Sequence, residues 1–233
     1  AFSLARPAAS APDVRAPETI EMVERLRERD RRRDVMGKPY ESARRAALFG
    51  DLAANAADEF ERLDHLRKFA LETLNAGDSR RSAELFEEVE RLEARLGGTS
   101  PTNLRQTQLL KGTAWLRFGE QQNCLTNHTN ESCLLPIRGR GIHLLPEGSR
   151  KALEIFESIL REEPDRLDAR WLLNLAHMTL GTYPAGVPDQ WRVPEERFAS
   201  DHDIGRFTDV ADGLGVAGNE LSGGSILEDF NND

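Results

Sequence analysis

Cysteine, lysine and tyrosine are scarce in this 233-residue chain, and long apolar runs are missing altogether. No stretch approaches the roughly 20 consecutive apolar residues of a transmembrane helix, which excludes a spanning segment of that kind. Two cysteines are too few for a disulfide-dense scaffold or a multi-zinc module. Positive charge is not in excess either. Lys and Arg number 31 against 40 Asp and Glu, a formal net charge of −9. A basic nucleic-acid-binding surface is therefore excluded as the main activity. There is no Walker lysine, no Rossmann glycine pattern and no Ser-His-Asp order, so the sequence points away from an enzyme.

What is present is mostly helical periodicity. Thr19 stands as a cap with Glu21 and Glu24 behind it. Ile20, Val23 and Leu26 then share a face before the charged run Arg27 to Asp34. That run reads as a solvated helix face with i,i+4 charge pairs, or less simply as a basic docking strip. After Gly37-Lys38-Pro39, helices are predicted from Tyr40 and over Ala54 to Ala76.

The segment Leu66 to Leu96 reads as two helices joined at Gly77-Asp78. Leu66, Phe69, Ala70 and Leu74 stripe the first, and Ala83, Phe86, Val89 and Leu92 the second. Ser149 to Pro164 repeats the second half, with Ala152, Phe156, Ile159, Leu160 and a terminating Pro164. A small residue, an aromatic four later, an apolar residue three later and a closing Pro resemble the second helix of a tetratricopeptide repeat. Such helices cannot bury their faces singly, so a stack of pairs is expected. Another first helix begins at Trp171, Leu172, Leu175 and Met178. His65 and His177 lie on helical stretches and read as structural or exposed rather than as ligands.

Asn103 to Gly119 reads as a first helix whose partner does not begin until Ser149. The intervening insertion, 120–148, follows no helical pattern and holds both cysteines. Cys124 and Cys133 stand nine apart, with His128 between them and His143 ten beyond. Three chemistries fit. A disulfide would pin a short loop and give roughly 2–3 kcal/mol in the chain-entropy model. A copper or zinc site would use Cys124, His128, Cys133 and His143, although the spacing lacks a CxxC pair. A nucleophilic or redox cysteine beside a histidine is the third. The disulfide is the primary expectation, and a metal-binding or redox protein is the alternative. The same loop carries two formal glycosylation sequons at Asn127 and Asn130, and an Arg138-Gly139-Arg140-Gly141 turn.

The ends differ from the middle. Residues 1–16 read as a flexible arm, and a start at Ala1-Phe2-Ser3 suggests a processed chain. Residues 183–206, with Pro184, Gly186, Pro188 and Pro194, read as a linker in which Trp191 anchors. From Glu195 onward ten acids face two bases. Asp229, Asn231 and Asp233 form a D-x-N-x-D phrase that points alternate oxygens at one centre, as calcium requires. The fragment supplies only part of the six to eight oxygens needed, so calcium is expected only in a longer polypeptide.

Phe207-x-Asp209-Val210-Ala211 followed by Asp229-Phe230-Asn231-Asn232-Asp233 resembles the opening of an FG-GAP/VCBS blade, here incomplete over 207–233. Asn123-Cys124, Asn127-His128, Ser132-Cys133, Pro136-Ile137, Gly148-Ser149-Arg150 and Ala169 to Asn174 extend the likeness. Over residues 100–233 the chain is similar to bacterial cartilage acidic protein-like (ASPIC/UnbV) proteins. In that family a tetratricopeptide-like region precedes a calcium-bearing β-propeller. The resemblance implies export to the periplasm, cell surface or medium, and a scaffolding or adhesion role. The expectation is thus a mainly α chain: a helical solenoid over 17–182, a disulfide-pinned insertion and an extended tail. Its partners are expected to be proteins, including a larger extracytoplasmic or membrane complex that it serves as an accessory subunit.

Overall fold

The computed structural model describes residues 17–32, 35–38, 40–97, 101–127, 129, 131–199, 208 and 210–215. The chain is mainly α-helical, with no strand among the described residues. The helices are α1 (Pro17–Arg31), α2 (Ser42–Ala54), α3 (Glu59–Asn75), α4 (Ser79–Arg95), α5 (Pro101–Asn127), α6 (Glu147–Glu162) and α7 (Leu167–Thr179). Two compact units divide at Phe198 and Ala199. In the second, residues 211–214 form a helical turn, α8 (Ala211–Leu214), where a blade strand was expected. A strand needs a paired neighbour, and the described residues supply none. Asp229, Asn231 and Asp233 lie outside the described residues, as does the 1–16 arm.

Local sequence explains the helix boundaries. Asp58 caps α3 by accepting from the Phe60 and Glu61 amides at 2.8 Å, while Glu61 accepts the Ala57 amide at 2.7 Å. That reciprocal arrangement satisfies three amides at the helix start. Gly77, at φ +92°, then turns the chain so that the Asp78 amide reaches the Thr73 carbonyl. Asp78 caps α4 in turn, accepting from the Arg81 amide. The joint expected at Gly77-Asp78 is therefore a capped hairpin between helices.

From α2 to α7 each helix packs mainly on the one before and the one after it. The predicted stripes face the core. Ala83, Phe86, Val89 and Leu92 of α4 are buried, as are Ala152, Phe156, Ile159 and Leu160 of α6. One apolar cluster gathers around α2, α3 and α4, and a second around α5, α6 and α7. Charge pairs tie consecutive helices as well: Arg45 to Glu72, Arg62 to Glu88, Arg67 to Glu93, Lys111 to Glu90 and Arg105 to Glu162.

Helix α1 differs, because none of its residues is buried. Arg25 pairs with Glu21 ahead of the charged run, Arg31 and Arg32 pair with Glu28 within it, and Asp30 pairs with Arg44 of α2. Those within α1 are the i,i+3 and i,i+4 pairs of a solvated face.

The Pro-containing stretch expected as a linker is packed against the helices as far as Phe198. Val187 and Trp191 are buried in the α5–α7 cluster. Asn174, fully buried, donates to the Trp191 carbonyl at 2.8 Å and accepts the Val193 amide at 2.9 Å. Arg170 adds bonds to the Trp191 and Arg192 carbonyls. Two side chains of α7 thus serve as hydrogen-bonding partners for residues 191–193, which lie outside any helix.

Candidate functional site

The end of α5 governs the region that carried the sequence candidates. A stop was expected at Gly119, but the helix runs on to Asn127. Gly119 is not a terminator; it is a point of close approach. A Cβ there would lie 3.2 Å from the Ser149 amide nitrogen at the start of α6. The true insertion is accordingly shorter, and it folds back over the last two turns of α5.

Asn123 holds it there. Its amide donates to the Gly119 carbonyl at 2.8 Å and the Leu145 carbonyl at 2.9 Å, and its oxygen accepts the Leu145 amide at 2.9 Å. Asn174 performs the same two-way clasp on the 191–193 segment, so the molecule uses one device twice. Replacing Asn123 by Leu should cost about 2 kcal/mol, because the Leu145 amide and carbonyl lose their partner. Chemical denaturation measures that loss. Faster alkylation of Cys124 and Cys133 should accompany it as the loop loosens, whereas unchanged stability would remove Asn123 as the clasp.

Cys124 and Cys133 are exposed free thiols, and no disulfide joins them. Cys124 rides the last turns of α5 instead of a loop, and Cys133 sits in the turn at 131–133. Both border a cavity of about 420 Å³. His143, Glu120, Asn127 and Ser132 border it too, and Leu135, Ile137, Ile142, Trp171 and Leu175 supply apolar wall. His128 lies outside the described residues. Among the described residues, no group of three or more His, Cys, Asp or Glu is arranged to hold a metal ion.

His143 is held from behind. Its Nδ1 lies 2.9 Å from Ser149 Oγ, which is itself 2.9 Å from Thr179 Oγ1. Its backbone amide donates to the Thr179 carbonyl at 2.8 Å. Only Nε2 is left for a ligand. Burial holds the imidazole below its ordinary value of 6.5. Burial also raises the Glu120 carboxyl, more than Arg117 one turn earlier lowers it.

The Arg138–Gly141 turn gathers no free anion site. It forms a short 3-10 turn at Gly139–Gly141. The Arg140 amide donates to Glu131 Oε2 at 2.6 Å, so the chain's own carboxylate occupies the turn.

His177 is buried and structural. Its Nδ1 meets Thr182 Oγ1 at 2.7 Å, while Thr182 donates to the His177 carbonyl. Nε2 is buried with no partner. Burial lowers its pKa from 6.5, with Glu157 opposing. The unfolded chain therefore takes up protons at His143 and His177 more readily than the folded one. Their contribution to stability is complete above about pH 6.5 and declines as pH falls from there toward the lowered folded values. Thermal midpoints should drop between about pH 7.5 and 5.5, with a shallower drop after His177→Gln. A midpoint that is flat or rises over that window would contradict the assignment.

Against known proteins, the chain matches no family model, no curated protein and no solved structure. Among the described residues no helix is long and apolar enough to cross a membrane.

Proposed function

We propose that the chain is a protein-binding scaffold: a tetratricopeptide-like helical stack that docks a partner on its folded-back insertion. One observation carries the reading. Leu125, Leu134, Leu135, Leu144 and Leu145 are all exposed, between 41% and 89%, within a span of 21 positions. Leucines scattered singly need no explanation, but a concentration at the end of α5 and on the segment folded back over it marks an interaction surface. The sequential packing of α2 to α7 supports the stack, since each pair leaves faces that only a neighbour can cover.

The occupant is an apolar segment of a different protein. The family resemblance supports an exported scaffold, and a mostly helical body with a long tail suits a non-enzymatic accessory subunit of a larger extracytoplasmic or membrane complex, to which that protein would belong. In native extracts the chain should migrate with a defined complex. Leu134→Glu together with Leu144→Glu should release it without altering its far-ultraviolet dichroism. A monomer in those extracts, or a complex that survives both substitutions, would overturn the proposal. So would a dimer of the purified chain that the same substitutions dissolve, because the occupant would then be a second copy.

The metal-binding alternative keeps one favourable observation, the shared cavity of Cys124, Cys133 and His143. Stoichiometric copper or zinc in the purified protein, with both thiols shielded from alkylation, would move the assignment to it.

A further inference from the structure

The cavity at the end of α5 contains an imbalance that partner docking does not explain. Its wall is largely apolar, formed by Leu135, Ile137, Ile142, Leu175 and the indole of Trp171. Glu120 brings a carboxylate to that wall, yet no Lys or Arg borders the cavity. Among the described residues Glu120 has neither a hydrogen bond nor an ion pair, and Arg117 one turn earlier acts on it through space without offsetting its burial. The thiols of Cys124 and Cys133 and Nε2 of His143 also face no protein partner, but none of them brings a carboxylate, and the other polar groups are bonded within the protein. Asn123 is saturated by Gly119 and Leu145, Asn127 donates to the Arg140 carbonyl, and Ser132 meets Thr129. Nδ1 of His143 is bound to Ser149.

We infer that this cavity binds an organic cation, an ammonium group carried on an apolar stem. A carboxylate in partly desolvated surroundings attracts a cation far more strongly than one in open water does. The aromatic ring of Trp171 in the same lining adds a second element able to attract a cation, through its quadrupole. The aliphatic wall suits the stem, and Asn127 Oδ1 offers an acceptor for an N–H. An anion finds the Glu120 carboxylate against it, and a neutral ligand leaves that carboxylate unpaired. Burial already raises the Glu120 pKa, and a bound ammonium would restore the ionised form. The inference stands apart from the docking surface, because the leucines of that surface other than Leu135 do not line the cavity.

Two sources present this chemistry: a free small amine, and a lysine side chain on a partner. Calorimetry with n-hexylamine, 1-hexanol and hexanoate tests the shared chemistry on the full chain, with Trp171 emission as a second readout. A blocked pentapeptide with a central lysine between leucines, and its norleucine counterpart, form the other arm. The expected result is saturable binding of n-hexylamine or the lysine peptide, about tenfold tighter than the uncharged counterpart. Glu120→Gln, nearly isosteric, should abolish that preference, and Trp171→Leu should weaken binding with dichroism unchanged. Binding in the amine arm alone assigns the site to a small molecule; binding in the peptide arm assigns it to a protein-borne lysine. Failure of both charged probes to saturate would overturn the inference. So would equal binding of hexanol or hexanoate, or a Glu120→Gln variant that keeps the preference.

Discussion

Replacing Arg67 by Met is expected to cost about 3–5 kcal/mol of unfolding free energy, the largest loss from any single ion pair in the stack. Glu93 is only 1% exposed, and Arg67 reaches it from α3 through Nε at 3.0 Å and through Nη2. Thr107 of α5 adds a weaker contact to the same oxygen at 3.3 Å, and Oε2 already has no partner. Removing the guanidinium would leave a carboxylate in a dry junction of three helices with one hydroxyl for company. The cost lies in the orphaned charge more than in the lost attraction. Adding Glu93→Gln to Arg67→Met should therefore recover part of the loss, although the double variant departs further from the native sequence. Urea unfolding of the wild type, the single and the double variant decides the matter. A single variant within 1 kcal/mol of wild type, or a double variant below the single, would show that water reaches Glu93 after all. The exposed pairs of α1 provide the contrast. Arg25→Ala should change stability by less than about 1 kcal/mol, since its pair with Glu21 is solvated at both ends.

Stripes were the legible part of this molecule. Ala83, Phe86, Val89 and Leu92 recur at helical spacing, and each is at most 1% exposed because nothing but a neighbouring helix can satisfy that face. Glycine was legible only where it acts on its own backbone. Gly77 ends α3 by adopting positive φ, a local property that the sequence displays. Gly119 does nothing local; it lies where α6 passes close by, and only the folded chain contains that neighbour. Ending α5 at Gly119 then hid the rest. Glu120, Gln121, Gln122 and Asn123 look like loop by polarity, yet Asn123 earns its helical place by clasping Leu145, 22 residues away. The candidate cluster was half visible. Cys124, Cys133 and His143 do share a cavity, but Glu120 and Trp171 join it from outside any short motif. No spacing rule connects residues 120 and 171.

Gly148→Ala is expected to destabilise the protein by about 3 kcal/mol, at the upper end of ordinary overpacking, although it adds one methyl group. A Cβ at Gly148 would stand 2.5 Å from the Trp115 carbonyl oxygen, 2.6 Å from the Gly119 nitrogen and 2.8 Å from Gly119 Cα. All three are backbone atoms of α5, so no side chain can rotate away, and α5 and α6 must separate. That separation also loosens Phe156, whose ring lies over Gly112 of α5 so closely that a Cβ there would be 2.5 Å from it. Gly119→Ala supplies the control. Its Cβ would meet the Ser149 amide nitrogen at 3.2 Å, a gap the start of α6 can yield. Ala also gains about 1 kcal/mol over Gly inside a helix, which should bring this variant near neutrality. Calorimetric melting of the two variants checks the contrast, and equal losses would mean that the start of α6 cannot yield at Gly119 and that the two contacts are equally tight. The same crossing positions the site. Ser149, next to Gly148, supports His143, and Asn123, one turn beyond Gly119, grips Leu145. Opening the crossing should therefore raise the alkylation rates of Cys124 and Cys133 in Gly148→Ala below its melting range, and leave them unchanged in Gly119→Ala.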